Sequence, residues 1–199
     1  MKSSAMNLTI RSLSTICLLS VAAAAAHALD LTPLRGTRQG NEGAPTPVIQ
    51  FTDGREKVDY KPPFGWEPSG NGKAVTFYTS DPTSWMKLEV IEKPCSPPPG
   101  QAASPPEDLQ AFAAKLIPSG AEKLEFVKMV PSPFTIGTCG ATEYIFEFSF
   151  YGSRAAISIS IIDLNDKERL VMLVSADSRN FERVRQDAVA SMFSWSPES

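Results

Sequence analysis

Between residues 140 and 195, hydrophobic and polar positions alternate in three successive runs and then switch to helical spacing. Tyr144, Phe146, Phe148 and Phe150 fall on one side of a strand over 141–151, because strand side chains alternate faces. The run 154–162 repeats the device, with Ile157, Ile159 and Ile161 predicted to face the core and Ser158 and Ser160 to face water. Residues 165–167 carry turn chemistry, and 169–174 returns as a third strand. A closing helix is predicted over 178–192, capped by Asp177 or Ser178 with Glu182 in its first turn. Phe181, Val184, Ala188, Val189 and Met192 form its buried stripe, and Arg179, Arg183, Arg185 and Asp187 its wet one. Phe193 and Trp195 are expected to fold back onto the core. The pattern predicts a sheet with one buried face and a helix laid on it.

The first half reads as shorter strands. Residues 47–51 form a candidate strand ended by Asp53-Gly54, and 58–66 an extended segment whose tandem prolines, Pro62 and Pro63, suit a sheet edge. Residues 73–79 place Val75 and Phe77 on one face. In 85–92, Met86, Leu88 and Val90 alternate with Lys87, Glu89 and Ile91, the pattern of a half-buried antiparallel strand. Pro94, Pro97, Pro98, Pro99, Pro105 and Pro106 make 93–106 a stiff connector, with a polyproline ligand for an aromatic groove as the alternative. Ser104 is placed to cap a helix with Pro105 at its first position and Glu107 and Asp108 at its positive end. Leu109, Phe112, Ala113, Leu116 and Ile117 give the apolar stripe, and Pro118 and Gly120 stop it. A further strand is predicted over 122–130, then a loop over 131–137.

Residues 1–28 change the picture most. Lys2 and Arg11 without an acid, an apolar run over 16–26 and the Ala26-His27-Ala28 site make a cleavable secretory signal. Cys17 lies inside the apolar run after Thr15-Ile16, unlike a lipoprotein cysteine. Cleavage after Ala28 takes away the only histidine, and with it Ser-His-Asp, Cys-His and histidine-metal chemistry. It leaves 17 basic residues against 22 acidic ones, a balance that gives no support to nucleic-acid binding. The expected organisation is a signal at 1–28, a flexible leader or loosely docked arm at 29–47 and one domain at 48–199. In an oxidising compartment Cys95 and Cys139 most simply pair, a closure worth about 4 kcal/mol in the chain-entropy model.

Other chemistry is thin. The acidic stretch 163–168 lacks the glycine and the alternating ligands of a calcium loop and reads as a solvated hairpin turn. No carboxylate pair, phosphate loop or nucleophile elbow can be placed, so no catalytic residue, metal or cofactor is assigned. Trp66 reads as a core anchor after a glycine-permitted bend, with ligand stacking as the alternative.

Pro63-Phe64-Gly65-Trp66 resembles the entry motif of PsbP-like proteins, followed, as in that family, by a glycine-bearing turn and a strand of the type of Val75-Thr76-Phe77-Tyr78. The later helix, the glycine-preceded strand at 141–151, two more strands and a terminal helix ending in Ser191-Met192-Phe193 extend the resemblance from about Val48 to Trp195. It implies an α+β fold, an α/β/α sandwich whose mainly antiparallel sheet is flanked by helices. It also implies a binding or accessory role: the founding member is an extrinsic photosystem II subunit, and a Ran-binding transport factor shares the fold. The expectation is therefore an exported, monomeric, non-catalytic module for an unidentified protein or envelope component, with Phe64, Trp66 and Trp85 on its candidate contact loops. The alternatives are a small-molecule or lipid carrier with Phe and Ile side chains around a cavity between sheet and helix, and an unrecognised hydrolase.

Overall fold

The computed structural model describes residues 29–39, 44–94 and 107–197. The first strands are β1 (Leu29–Arg38), β2 (Thr46–Asp53), β3 (Glu56–Tyr60), β4 (Glu67–Asn71), β5 (Ala74–Tyr78) and β6 (Trp85–Glu92). Helix α1 (Leu109–Lys115) precedes β7 (Glu122–Ile136), β8 (Cys139–Phe150), β9 (Ser153–Asp163) and β10 (Glu168–Asp177). Helix α2 (Phe181–Met192) and the short β11 (Ser196–Pro197) close the described chain. A seven-stranded sheet has the order β4-β5-β6-β10-β9-β8-β7, and a four-stranded sheet the order β1-β2-β3-β11. Neighbours in both sheets run antiparallel.

The expected meander is present, but its burial differs from the alternation read in the sequence. Every residue of β10 from Leu170 to Ala176 is buried. Leu170, Met172, Val174 and Ala176 pack with α2 and the four-stranded sheet, whereas Val171 and Leu173 pack on the other side with the α1 segment. Ile157, Ile159 and Ile161 join Tyr144, Phe146 and Phe148 on the α1 side, against Leu109, Phe112 and Leu116. Ser158 and Ser160, expected in water, are fully buried on the opposite side. Alternation marks two faces; it does not say that one of them is wet.

The helix-flanked sandwich of the sequence reading is thus modified. One face of the large sheet carries α1, and the other is shared by α2 and the small sheet. An aromatic cluster joins the small sheet to the chain end: Phe51 lies 5.5 Å and Tyr60 5.9 Å from the Trp195 ring, centre to centre. The Tyr60 hydroxyl also shares a 2.6 Å hydrogen bond with Ser191 of α2. Trp195 folds back as expected, while Phe193 remains exposed.

Several boundaries move for local reasons. The arm expected at 29–47 begins instead with β1, whose Leu31 is fully buried and whose residues 34–38 pair with β2. Single-strand alternation is too short there to stand out among Gly, Pro and Thr. Helix α1 is capped by Asp108, whose Oδ1 accepts the Gln110 and Ala111 amides at 3.0 Å each. The expected cap Ser104 and the start at Pro105 lie outside the described residues. Helix α2 starts after Asn180, which makes no side-chain cap bond, not at Asp177 or Ser178. Strand β7 continues through Pro131 and Pro133, positions read as a loop; at the edge of the sheet a missing amide costs no ladder bond. Among the described residues, no helix is long and apolar enough to cross a membrane.

The burial of β1 separates a strand from a mobile leader. Leu31→Ala is expected to destabilise the protein by about 2–5 kcal/mol, as for other core truncations. Leu34→Ala, on the exposed half of β1, should stay within about 0.5 kcal/mol. Urea unfolding of both variants checks the difference.

Candidate functional site

Three turns and a loop converge at the end of the large sheet where β4 and β6 begin and β5, β8 and β10 end. Trp66 donates its amide to the Pro63 carbonyl at 3.2 Å, with Gly65 at φ +77°, the arrangement of a type II turn. The turn holds Phe64 at its apex, fully exposed at 104%, and swings Trp66 into the core. Trp66 is therefore a core anchor, as one reading of the sequence expected, and does not present itself to a partner.

Trp85 is positioned by the preceding loop. Asp81 accepts the Thr83 amide at 2.9 Å and its hydroxyl at 2.8 Å on Oδ1, and the Ser84 hydroxyl at 2.8 Å on Oδ2. These bonds, led by the Thr83 amide, hold the Asp81 carboxyl below its ordinary range. The Thr79 hydroxyl accepts the Asp81 amide at 2.9 Å and completes the closure. Trp85 emerges half-buried, packed on the α1-side core.

Between Trp85 and the β8–β9 hairpin lies a cleft of about 400 Å³. Its walls are Trp85, Phe148, Phe150 and Tyr151, with Pro82 and Pro118 at its sides. The hairpin turn has Tyr151 at φ +48° and Gly152 at φ +79°, the double left-handed geometry of a type I′ turn. Glycine meets that demand freely; a tyrosine does not. The Tyr151 side chain stands 93% exposed, its ring edge-on to Phe150 at 4.6 Å.

Charged groups border the cleft. Arg154 donates from Nη2 to Glu147 at 2.7 Å. Arg179 donates from Nε to Asp177 at 2.9 Å, and its amide adds a bond at 3.0 Å. The Arg179 side chain first, then its amide, holds the Asp177 carboxyl below its usual range, so it is ionised at neutral pH.

Two buried charge clusters went unread in the sequence. Glu143, fully buried on β8, accepts Arg185 Nε at 2.7 Å and Nη2 at 2.5 Å, and also the Ser158 hydroxyl. Arg185, assigned to the wet stripe of α2, is turned inward by this pair. Arg169 on β10 meets Glu107 at 2.9 Å and Asp163 at 3.1 Å, and its guanidinium lies 4.7 Å from the centre of the Phe112 ring of α1. The signal available for Glu143 was its parity with Ile145 and its place beside two serines on one face. These clusters fix helices to the sheet; neither lines the cleft.

Cys139 lies at the opposite end of the sheet, half-buried, its thiol 3.8 Å from the Leu164 carbonyl. Cys95 lies outside the described residues. Lys93, two positions before it, donates its amide to the Lys167 carbonyl at 2.7 Å, so the chain approaches the same β9–β10 turn. Among the described residues, no group of His, Cys, Asp and Glu side chains could hold a metal ion.

No family model matches the chain, and no curated protein matches its sequence. Solved structures do. The chain is similar to LpqN of Mycobacterium tuberculosis, described as involved in cell envelope biogenesis, at 11% identity and a TM-score of 0.45, over 84% of this chain and 92% of that one. It is also similar to cyanobacterial PsbP from Synechocystis sp. PCC 6803, at 13% identity and a TM-score of 0.47, over 79% of this chain and 96% of that one. A PsbP is thus among the structures that the fold resembles, as the sequence resemblance implied.

The left-handed backbone at Tyr151 has a measurable consequence. Tyr151→Asn is expected to raise stability by about 1 kcal/mol, because asparagine tolerates this conformation and little packing is lost. Thermal and urea unfolding check the sign; a loss of stability would show that the ring contributes more than the backbone costs.

Proposed function

We propose that the chain is an exported, non-catalytic binding module that engages an envelope component through the sheet end carrying Phe64, Trp85 and Tyr151. The observation that carries this reading is Phe64, a fully exposed ring on a turn fixed by Pro62, Pro63 and Gly65. Single exposed apolar side chains are ordinary. Here, however, a second aromatic, Tyr151, stands out at the same end on an equally constrained turn, with the side chains of Arg154, Arg179 and Arg183 largely in water. Aromatic and arginine side chains dominate binding hot spots, and a preformed turn loses little entropy on docking. Burying the Phe64 ring in a partner is worth about 1.5–3 kcal/mol.

Export rests on the signal read at 1–28. Tagged mature protein, Leu29 to Ser199, incubated with envelope extract of its own organism is expected to retain a defined component in stoichiometric amount. Phe64→Asp should reduce that retention at least about tenfold, a 1.4 kcal/mol effect, without changing the melting temperature. Equal retention by both proteins would remove Phe64 and this end of the sheet from the interaction.

The oxidising address also governs the cysteines. We propose that Cys95 and Cys139 form a disulfide beside the β9–β10 turn, supported by the approach of Lys93 and Cys139 to that turn. The mature protein, unfolded in guanidinium without reductant, is expected to show no titratable thiol. Two thiols per chain would overturn the pairing.

A further inference from the structure

The cleft beside Trp85 has a second compartment. Ser153, Arg154 and Asp177 belong both to the aromatic cleft and to an adjoining hollow of about 460 Å³, which Ser178 and Arg179 complete. We infer that the two form one site for an anionic amphiphile, an apolar ring or chain bearing a carboxylate, phosphate or sulfonate group. This inference rests on the reading of this end as the recognition surface and names a ligand for it.

The apolar half follows from the walls. Trp85, Phe148 and Phe150 offer ring surface, and a volume of about 400 Å³ suits a small molecule. A polymer would need a longer groove. The polar half follows from how its charges are already engaged. Asp177 receives Arg179 on both carboxylate oxygens, at 2.9 and 3.3 Å, so a ligand cation would have to displace a guanidinium to reach it. Glu147 is likewise held by Arg154. The two guanidiniums keep donors in reserve: each has five N–H groups, and these bonds use two on Arg179 and one on Arg154. The Ser178 amide is given to the Arg154 carbonyl at 3.2 Å, which holds the turn after β10 against the start of β9. Spare N–H donors on two exposed guanidiniums next to an aromatic cleft match an acceptor group on an apolar body.

Two dyes with the same apolar body separate the halves of the site. The anionic probe is 8-anilinonaphthalene-1-sulfonate; the neutral one is N-phenyl-1-naphthylamine, which lacks the sulfonate. Titrated into the folded mature protein, the anionic dye is expected to bind one per chain and at least about tenfold tighter than the neutral dye. Its affinity should fall with added salt. The double variant Arg154→Gln, Arg179→Gln should bring its affinity to that of the neutral dye, whereas Trp85→Leu should weaken both. Equal affinity for the two dyes, or an anionic affinity indifferent to the arginines at unchanged melting temperature, would overturn the inference. So would saturable binding of neither dye. Absent dye binding with Phe64-dependent capture intact would remove the ligand and leave the recognition reading standing. Dye binding with no capture would do the reverse.

Discussion

The central strands of the large sheet are buried on both faces, and the rest of the architecture answers that constraint. β9 and β10 place isoleucines, leucines and valines on each side, so neither face of the sheet can be left to water. One short helix covers the side bearing Tyr144, Phe146 and Phe148. The other side is wider than a single helix of twelve residues can cover. The four-stranded sheet fills the remainder, bringing Leu31, Phe51 and Tyr60 over β5 and β6 while α2 lies across β10. β1 and the return of Trp195 are thus parts of the core.

Burial on both faces also accounts for the polar groups inside. Ser158 and Ser160 occupy alternate positions whose neighbours must be apolar on the other face, and covering them with α2 places a carboxylate, Glu143, out of water as well. Arg185 and the Ser158 hydroxyl supply its partners. Such a pair need not add net stability relative to a well-packed apolar replacement, but losing one member leaves an uncompensated buried charge, typically a cost of about 3–5 kcal/mol. The arrangement fixes which face of α2 meets the sheet. Arg169 does the same for α1, its guanidinium meeting Glu107, Asp163 and the Phe112 ring.

Strands locked on both faces give rigid ends, and two exposed aromatic side chains, Phe64 and Tyr151, stand on turns at one of them. The type II turn under Phe64 and the hairpin under Tyr151 each use a left-handed glycine, and the second also holds a tyrosine in that conformation. Aromatic rings in water and a non-glycine residue in a costly backbone state are both unfavourable for the isolated chain. Their coincidence at one end, around a cleft edged by arginines with spare donors, is what the proposed recognition rests on; at the opposite end the Cys139 thiol meets the Leu164 carbonyl before the β9–β10 turn.

Local pattern by itself determined the meander of β8, β9 and β10, strands β2, β5 and β6, and the apolar stripes of both helices. Each follows from alternation, helical spacing or turn residues within about ten positions, which is the range over which side-chain direction is dictated by the backbone. The three residues nominated from loops, Phe64, Trp66 and Trp85, do come to one end of the sheet, because the sequence already placed them beside turns. Only the tertiary structure decided which were exposed. It buried Trp66, opened Phe64 fully, set Trp85 against Phe148 and Phe150 from a strand more than sixty residues away, and drew Tyr151 and Arg154 to the same cleft. It also turned the serines of β9 and Arg185 of α2 inward, because whether a strand face or a helix stripe meets water depends on what the remainder of the chain lays over it, and that is a long-range property no local period encodes.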